Sequence, residues 1–589
     1  VRQILVGKKF FKEEFNVDNK ILWLPDVFGY SANLPQLLRK SGIDFFVTSK
    51  ISWNETNRMP HEIFTWQGID GSTIDSYFIT TQRKVKDTPT HNYSTYIGEG
   101  HASEVLGTYQ RLTDKNLTEE VIMPTGFGDG GGGTTPQMIE MIDYISTGLK
   151  GCNRSGFIGV GEFAARLKEN IKDKPVPRWV GELYLEYHRG TYTSISKMKC
   201  NNRKGEFAIW NTEWESVMAK LLKGKQYPQE VIDHQLKVLL TNQFHDILPG
   251  TCVEEVYEET DKEYATFFKE LGQIEKDSLS LIAEHVNEKG ICVFNPNSFE
   301  GSATVVVNGK TVGVSKIPSK GYAVLSAEDY LATNNILASE TGIENTLYKI
   351  VFNSQGKIVS FIDKRVGREL VKEGGLFNNL IAYENLPFEY ENWELKEYYK
   401  EKAFPVDNVV HAEVVNDGVR KGVRFTYAFI NSTIIQTVWL YENLARVDCE
   451  TELDWHEHQL VLRTESDTTI LTDRATYEIQ YGNITRPAHG NNPWDAAKFE
   501  VCAHKFVDVA EYDYGISLLN DCKYGHSVRD GKMGLTLLTC GTYPSRNADQ
   551  GKHKFTYSFM PHSGDFRTAK VIEQAYLLNN PMVAVRADG

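Results

Sequence analysis

The run Ile21-Leu22-Trp23-Leu24, stopped by Pro25-Asp26 and then Gly29, constrains this chain more than any other stretch. Four apolar residues ended by turn formers predict a short strand buried on both faces, as in a parallel sheet flanked by helices. On such folds chemistry gathers on the loops at the carboxyl ends of the strands. Asp26 is therefore expected at the rim of a site, with Phe28 beside it as an apolar wall. The alternative is an Asp that caps a helix beginning near Ser31.

The remaining patterning divides the 589 residues into three parts. Residues 1–194 alternate short apolar runs with helical stretches. Pro35–Lys40 reads as helix, Asp44–Thr48 as the next strand and Val121–Pro124 as a later one, which together argue a parallel α/β layer. In residues 195–290 apolar residues recur at three and four, as at Ile232, Leu236, Leu239 and Leu240. Three helices, 201–223, 229–244 and 253–286, are expected to form an antiparallel bundle. From Ile291 to Gly589 the signal is β. Asn308-Gly309 between the β-branched runs 302–307 and 311–314 marks a hairpin, and 291–589 reads as β-sandwich material. The expected class is a multidomain α/β, then α, then β chain.

A net charge of −14 repels nucleic acid and anionic membranes, so neither is an expected partner. No apolar run approaches the ~18 residues needed to span a bilayer. The 8 cysteines form no Cys-x-x-Cys pair, which argues against a thiolate zinc or redox motif and for reduced thiols of a cytoplasmic protein. Asn54-Glu55-Thr56, Asn92-Tyr93-Ser94 and Asn116-Leu117-Thr118 fit a glycosylation pattern that matters only after secretion.

Asp129 lies in Gly128-Asp129-Gly130-Gly131-Gly132-Gly133. Such a loop lets backbone approach a ligand closely, or is a plain turn. It is not a phosphate cradle, because no Lys follows in the Walker arrangement. His245-Asp246 falls at the carboxyl end of a predicted helix, where a His is ordinarily a favourable cation. Lys50 ends the strand after Asp26, where a cation would keep that carboxylate ionised, or is a solvated surface residue. Trp53 and Trp66 are sugar-stacking or core residues. Glu186, His188 and Arg189 crowd one segment and are expected to line a site. His456 and His458 would share one face of a strand.

The strings LPDVFGYSANLPQLLRKSGIDFFVTSK at 24–50, GFGDGGGGTTPQM at 126–138, ELYLEYHRGTYTS at 182–194 and NQFHDILPGT at 242–251 resemble glycoside hydrolase family 38. YGISLLNDCKYG at 514–525 and HKFTYSFMPHSGDFR at 553–567 extend the likeness, which is greatest to the cytosolic and bacterial type of α-mannosidase. The resemblance implies a partial α/β barrel in 1–194 and a retaining hydrolysis of terminal α-linked mannose from oligosaccharides. Retention needs two carboxyl groups ~5 Å apart. It carries the nucleophile to Asp26 and the acid/base to Asp129, where other branches have a second acid at the place of Gly130. It also implies one Zn2+ held by Asp26 and His245, with Asp246 on sugar hydroxyls. Two further zinc ligands, in a His-x-Asp element, are expected upstream of Val1, so the chain reads as a fragment. Phe28, Lys50, Trp53, His188 and Arg486 are expected around the sugar, and a homo-oligomer is expected from the habits of the family. The alternatives are a non-catalytic sugar-binding fragment and a metal-dependent sugar deacetylase on a similar barrel.

Overall fold

The computed structural model describes residues 1–82, 94–129 and 131–588, so Asn92, Tyr93 and Gly130 lie outside the described residues. The chain forms two compact units, one of Val1–His188 with Ile479–Ile484 and one of Arg189–Glu478 with Thr485–Gly589.

The first unit begins with helix α1 (Arg2–Phe15) and strand β1 (Ile21–Trp23), followed by helix α2 (Leu34–Lys40) and strand β2 (Phe45–Thr48). Strands β3 (Ile63–Gln67), β4 (Thr73–Phe78) and β5 (Arg178–Val180) complete an open sheet of order β1-β2-β4-β3-β5. Phe45 and Val47 face a core with Leu112, Phe163 and Leu167. Phe46 packs on the opposite side against Tyr30 and Trp66, at ring-centroid distances of 4.9 and 5.2 Å. Both faces of β2 are thus covered, which is why Phe-Phe-Val runs without a polar interruption.

Two expectations for this unit need correction. The sheet is mixed, because β3 and β4 pair antiparallel across the turn Gly68–Ser72. A five-residue connection suffices for a hairpin, whereas a parallel return needs a crossover of a dozen residues or more. Val121–Pro124 is not a strand. It runs beside the core, with Ile122 buried, and the bridge between Gly98 and Thr125 comes just after it. Pro124 cannot donate to a ladder.

The second unit opens with three helices, α3 (Ser196–Lys223), α4 (Gln229–Thr241) and α5 (Glu254–Ala283). Its later sheets have nine, six, five, three and two strands. The hairpin Gly301–Val307 to Lys310–Ile317 turns at Asn308 and Gly309, both at positive φ (50° and 75°), which selects that dipeptide. Asn378, beside the six-stranded sheet, donates to Gln436 of the nine-stranded sheet at 2.8 Å and accepts from Tyr557, so a buried amide–phenol seam ties the two sheets face to face. His456 and His458 lie beyond the strand Val447–Trp455 rather than along it, and His456 pairs with Asp454 at 3.0 Å. A helix, Val571–Asn579, interrupts the β region.

Candidate active site

In the first unit, β1 and β2 run parallel with Trp23 opposite Val47. Asp26 and Lys50 follow these partners by the same offset, so the two side chains emerge together at the carboxyl end of the sheet. Lys50 Nζ lies 2.8 Å from Asp26 Oδ1, with side chains 10% and 21% exposed. The loop between them is braced by backbone acceptors. Ser49 Oγ donates to the Pro25 carbonyl at 2.7 Å, and Tyr30 Oη donates to the Leu24 carbonyl at 2.7 Å. Burial first, and the nearby Asp26 charge further, push the Tyr30 phenol up. Gly29 has φ 105°, and a Cβ there would meet the Leu183 carbonyl at 3.2 Å, just where Tyr30 and Leu183 exchange backbone hydrogen bonds.

Aromatic rings wall this ion pair. Lys50 Nζ sits 4.4 Å from the Trp53 ring centroid and 5.6 Å from that of Phe28. Phe28 meets His188 edge to face at 4.8 Å. Asp26, Phe28, Lys50, Trp53 and His188 are therefore brought together. Trp66 is fully buried core. Glu186 serves the loop beside the site: its carboxylate accepts from the backbone N–H groups of Thr56 and Asn57, each at 2.8 Å, and from the Asn57 side chain at 2.6 Å.

Asp129 is exposed, at φ 52°. Its N–H donates to Tyr96 Oη at 2.9 Å, and Tyr96 Oη donates to its Oδ1 at 3.0 Å. A Cβ on Gly128 would lie 2.6 Å from that phenol oxygen, so the glycine admits the contact. The Tyr96 phenol is raised by burial first and then by the charges of Asp129 and Asp26, which puts one hydroxyl within electrostatic reach of both carboxylates. Tyr96 is the residue the sequence did not reveal. No motif surrounds it, and the Gly128 position is explained only by its approach.

The other candidates belong to the second unit. Helix α4 stops at Thr241, so His245 and Asp246 lie in turns beyond it rather than at its end. Asp246 Oδ1 accepts from Thr251 Oγ1 at 2.7 Å, and its Oδ2 is 3.6 Å from His245 Nε2. Arg189 is buried, donating to the Ala497 carbonyl at 2.9 Å. Arg486 is buried and donates to the Cys502 carbonyl at 3.1 Å, with its guanidinium 4.7 Å from the Tyr477 ring centroid. Among the described residues no three His, Cys, Asp or Glu side chains come together to hold a metal ion. A catalytic zinc takes three protein ligands. The described residues therefore do not by themselves fit a complete zinc site.

Known proteins resemble the chain throughout. The family profile described as "Glycosyl hydrolases family 38 N-terminal domain" matches residues 1–182. "Alpha mannosidase middle domain" matches 186–282, and "Glycosyl hydrolases family 38 C-terminal domain" matches 343–547. The chain is 34% identical over 611 residues to Alpha-mannosidase 2C1 of Mus musculus, covering all of this chain and 57% of that protein. It is 33% identical over 646 residues to Alpha-mannosidase G of Dictyostelium discoideum, covering 98% of this chain and 58% of that protein. The chain thus spans little more than half the length of these relatives. The crystal structure of an alpha-mannosidase from Enterococcus faecalis V583 shares the fold, with a TM-score of 0.79 at 14% identity over 99% of this chain and 79% of that one. Three profiles of one family in their own order, and relatives matched along nearly the whole chain, place it in glycoside hydrolase family 38.

Proposed function

We propose that the chain carries the active site of a retaining α-mannosidase that removes terminal α-linked mannose from oligosaccharides. Asp26 is the nucleophile and Asp129 the acid/base. One observation carries the assignment: a carboxylate ion-paired to Lys50 and a second held by Tyr96 in the same unit.

In the first step a carboxylate oxygen of Asp26 bonds to the sugar C1 while the C1–O bond to the aglycone breaks. The departing oxygen takes the Asp129 proton. In the second step the Asp129 carboxylate takes a proton from water, whose oxygen bonds to C1 and releases Asp26. Lys50 fixes one oxygen of Asp26. The Tyr96 hydroxyl fixes the Asp129 carboxyl. Phe28, Trp53 and His188 give the pocket apolar and aromatic walls. Family resemblance makes zinc dependence part of this proposal. A cytoplasmic location is part of this proposal.

A 2-deoxy-2-fluoro-α-mannosyl donor tests the assignment. The expected result is a stable label on Asp26 and, with unmodified substrate, early release of α-mannose by NMR. Release of β-mannose would refute it. The alternative of sugar binding without turnover rests on there being, among the described residues, no three metal-ligating side chains together. It predicts saturable mannoside binding with no product.

A further inference from the structure

One short stretch of the first unit, residues 94–98, is tied to both carboxylate-bearing loops. At its near end it meets the turn that carries Lys50. Lys50–Trp53 is a single 3-10 turn, so Lys50, Ser52 and Trp53 sit on one rigid body. The Trp53 indole N–H donates to the Ser94 carbonyl at 2.9 Å. Ser52 Oγ donates to the same carbonyl at 3.3 Å and accepts from the Ser94 N–H at 3.3 Å. Three hydrogen bonds from two neighbouring side chains thus converge on one buried residue. The stretch is also pinned beyond β4, where the Thr95 N–H donates to the Thr81 carbonyl at 2.8 Å.

At its far end the stretch meets the Asp129 loop at two points. Tyr96 Oη accepts the Asp129 N–H at 2.9 Å and donates to Asp129 Oδ1 at 3.0 Å. Gly98 pairs with Thr125: its N–H donates to the Pro124 carbonyl at 2.8 Å, and its own carbonyl accepts the Gly126 N–H at 3.0 Å. Asp129 therefore hangs from the same residues that Ser52 and Trp53 hold.

A sugar wall needs only the ring of Trp53, whose centroid lies 4.4 Å from Lys50 Nζ. It needs neither Ser52 nor an indole donor aimed at the backbone that bears Tyr96. A half-buried indole N–H ordinarily finds some partner. Here the partner is doubled by Ser52 and lies two residues from Tyr96. Two residues of extended chain span at most about 7 Å, which leaves little slack between the Trp53 bond and the phenol. Slack matters at such a site, since a misplacement of about 1 Å can cost on the order of 100-fold in rate.

We infer that Trp53 is a positioning residue: through its indole N–H on the Ser94 carbonyl it holds Tyr96, and through Tyr96 the Asp129 carboxyl, in fixed relation to the Asp26–Lys50 pair. The ring and the N–H of Trp53 then serve different ends. The ring lies beside Lys50, and the N–H acts on the acid/base.

The inference rests on the mannosidase reading, and its test separates the two. Trp53→Phe keeps a ring beside Lys50 and removes the N–H, and Ser52→Ala removes the other two bonds to Ser94. The full chain and both variants, alone and with Tyr96→Phe, are assayed on α-mannobiose, whose leaving oxygen must be protonated, and on α-mannosyl fluoride, whose leaving group needs little protonation. The expected result is that the ratio of kcat/KM for mannobiose to that for the fluoride falls about 3–10-fold in Trp53→Phe, a part of the roughly 100-fold or more that a general acid supplies. The ratio should not fall further when Trp53→Phe is added to Tyr96→Phe, because the two act as a unit. Equal loss on both donors makes Trp53 a wall and overturns the inference, as does a full further fall in the Tyr96→Phe background. If Trp53→Phe does not fold, as read by circular dichroism, Ser52→Ala carries the same test. Millisecond hydrogen exchange supplies a second readout: the Asp129 amide should exchange about 3–10-fold faster in Trp53→Phe than in the parent, and an unchanged rate overturns the inference. If the parent chain cleaves neither donor, the mannosidase reading fails, and the exchange rate alone decides whether Trp53 holds Asp129.

Discussion

Glu215 offers a sharp test of the electrostatics inside the second unit. It lies on α3, 2% exposed, and its Oε2 has no hydrogen-bond partner among the described residues. Burial, and then the Glu275 charge, raise its carboxyl from the ordinary 4.5 to about 9. Burial lowers the neighbouring Lys320 to about 8, an effect that Glu215 opposes. Lys320 Nζ lies 4.7 and 5.2 Å from the ring centroids of Trp210 and Trp214. The native chain keeps the Glu215 proton over a range of pH in which the unfolded chain has lost it. Stability from this group is complete below pH 4.5 and is lost as pH rises towards 9. By pH 7 the loss is about 3 kcal/mol, and at pH 5 under about 1 kcal/mol. Glu215→Gln keeps the shape and removes the titration. It should raise the thermal midpoint of the second unit by about 3–5 °C at pH 7 and by far less at pH 5. Scanning calorimetry at pH 5, 7 and 8 reads this directly. If Glu215 is instead ionised and paired with Lys320, the amide strands a buried cation and lowers the midpoint at pH 7. That sign, or a gain independent of pH, refutes the reasoning.

Four further outcomes follow from the site. Tyr96→Phe removes the hydroxyl that fixes Asp129 and should lower kcat/KM for mannobiose about 10-fold, with a smaller loss for mannosyl fluoride, whose leaving group needs little protonation. Lys50→Met removes the cation 2.8 Å from Asp26 and should lower turnover, which Lys50→Arg should partly restore in the same assay. Gly29→Ala forces a Cβ into φ 105° against the Leu183 carbonyl and should cost about 1–3 kcal/mol by urea denaturation, with disproportionate loss of turnover because Asp26 sits on the same loop. Dialysis against 1,10-phenanthroline should abolish turnover and Zn2+ should restore it, and full activity with no zinc by atomic absorption would remove the metal from the proposal.

Much of the fold was legible because burial and local backbone geometry leave local traces. The run Asp44–Thr48 reported a strand, and Asn308-Gly309 reported a turn that needs positive φ twice, whereas Ile21–Trp23, read as buried on both faces, is a half-buried edge strand. The failures share a cause. Val121–Pro124 is apolar because it packs on the core, and apolarity alone does not say whether a ladder partner is at hand. The β3–β4 hairpin was missed for the converse reason, since its direction is set by the length of the turn and not by the strands.

The sequence by itself determined the elements, the family and the carboxylates worth testing, because residue type, spacing and turn chemistry act within a few positions of one another. Only tertiary structure decided that Lys50 meets Asp26 through a shared register, that Tyr96 holds Asp129 across 33 positions, and that Glu186 braces a loop. Such pairings depend on how distant segments close upon each other, and no local pattern records the entropy and packing that bring them there.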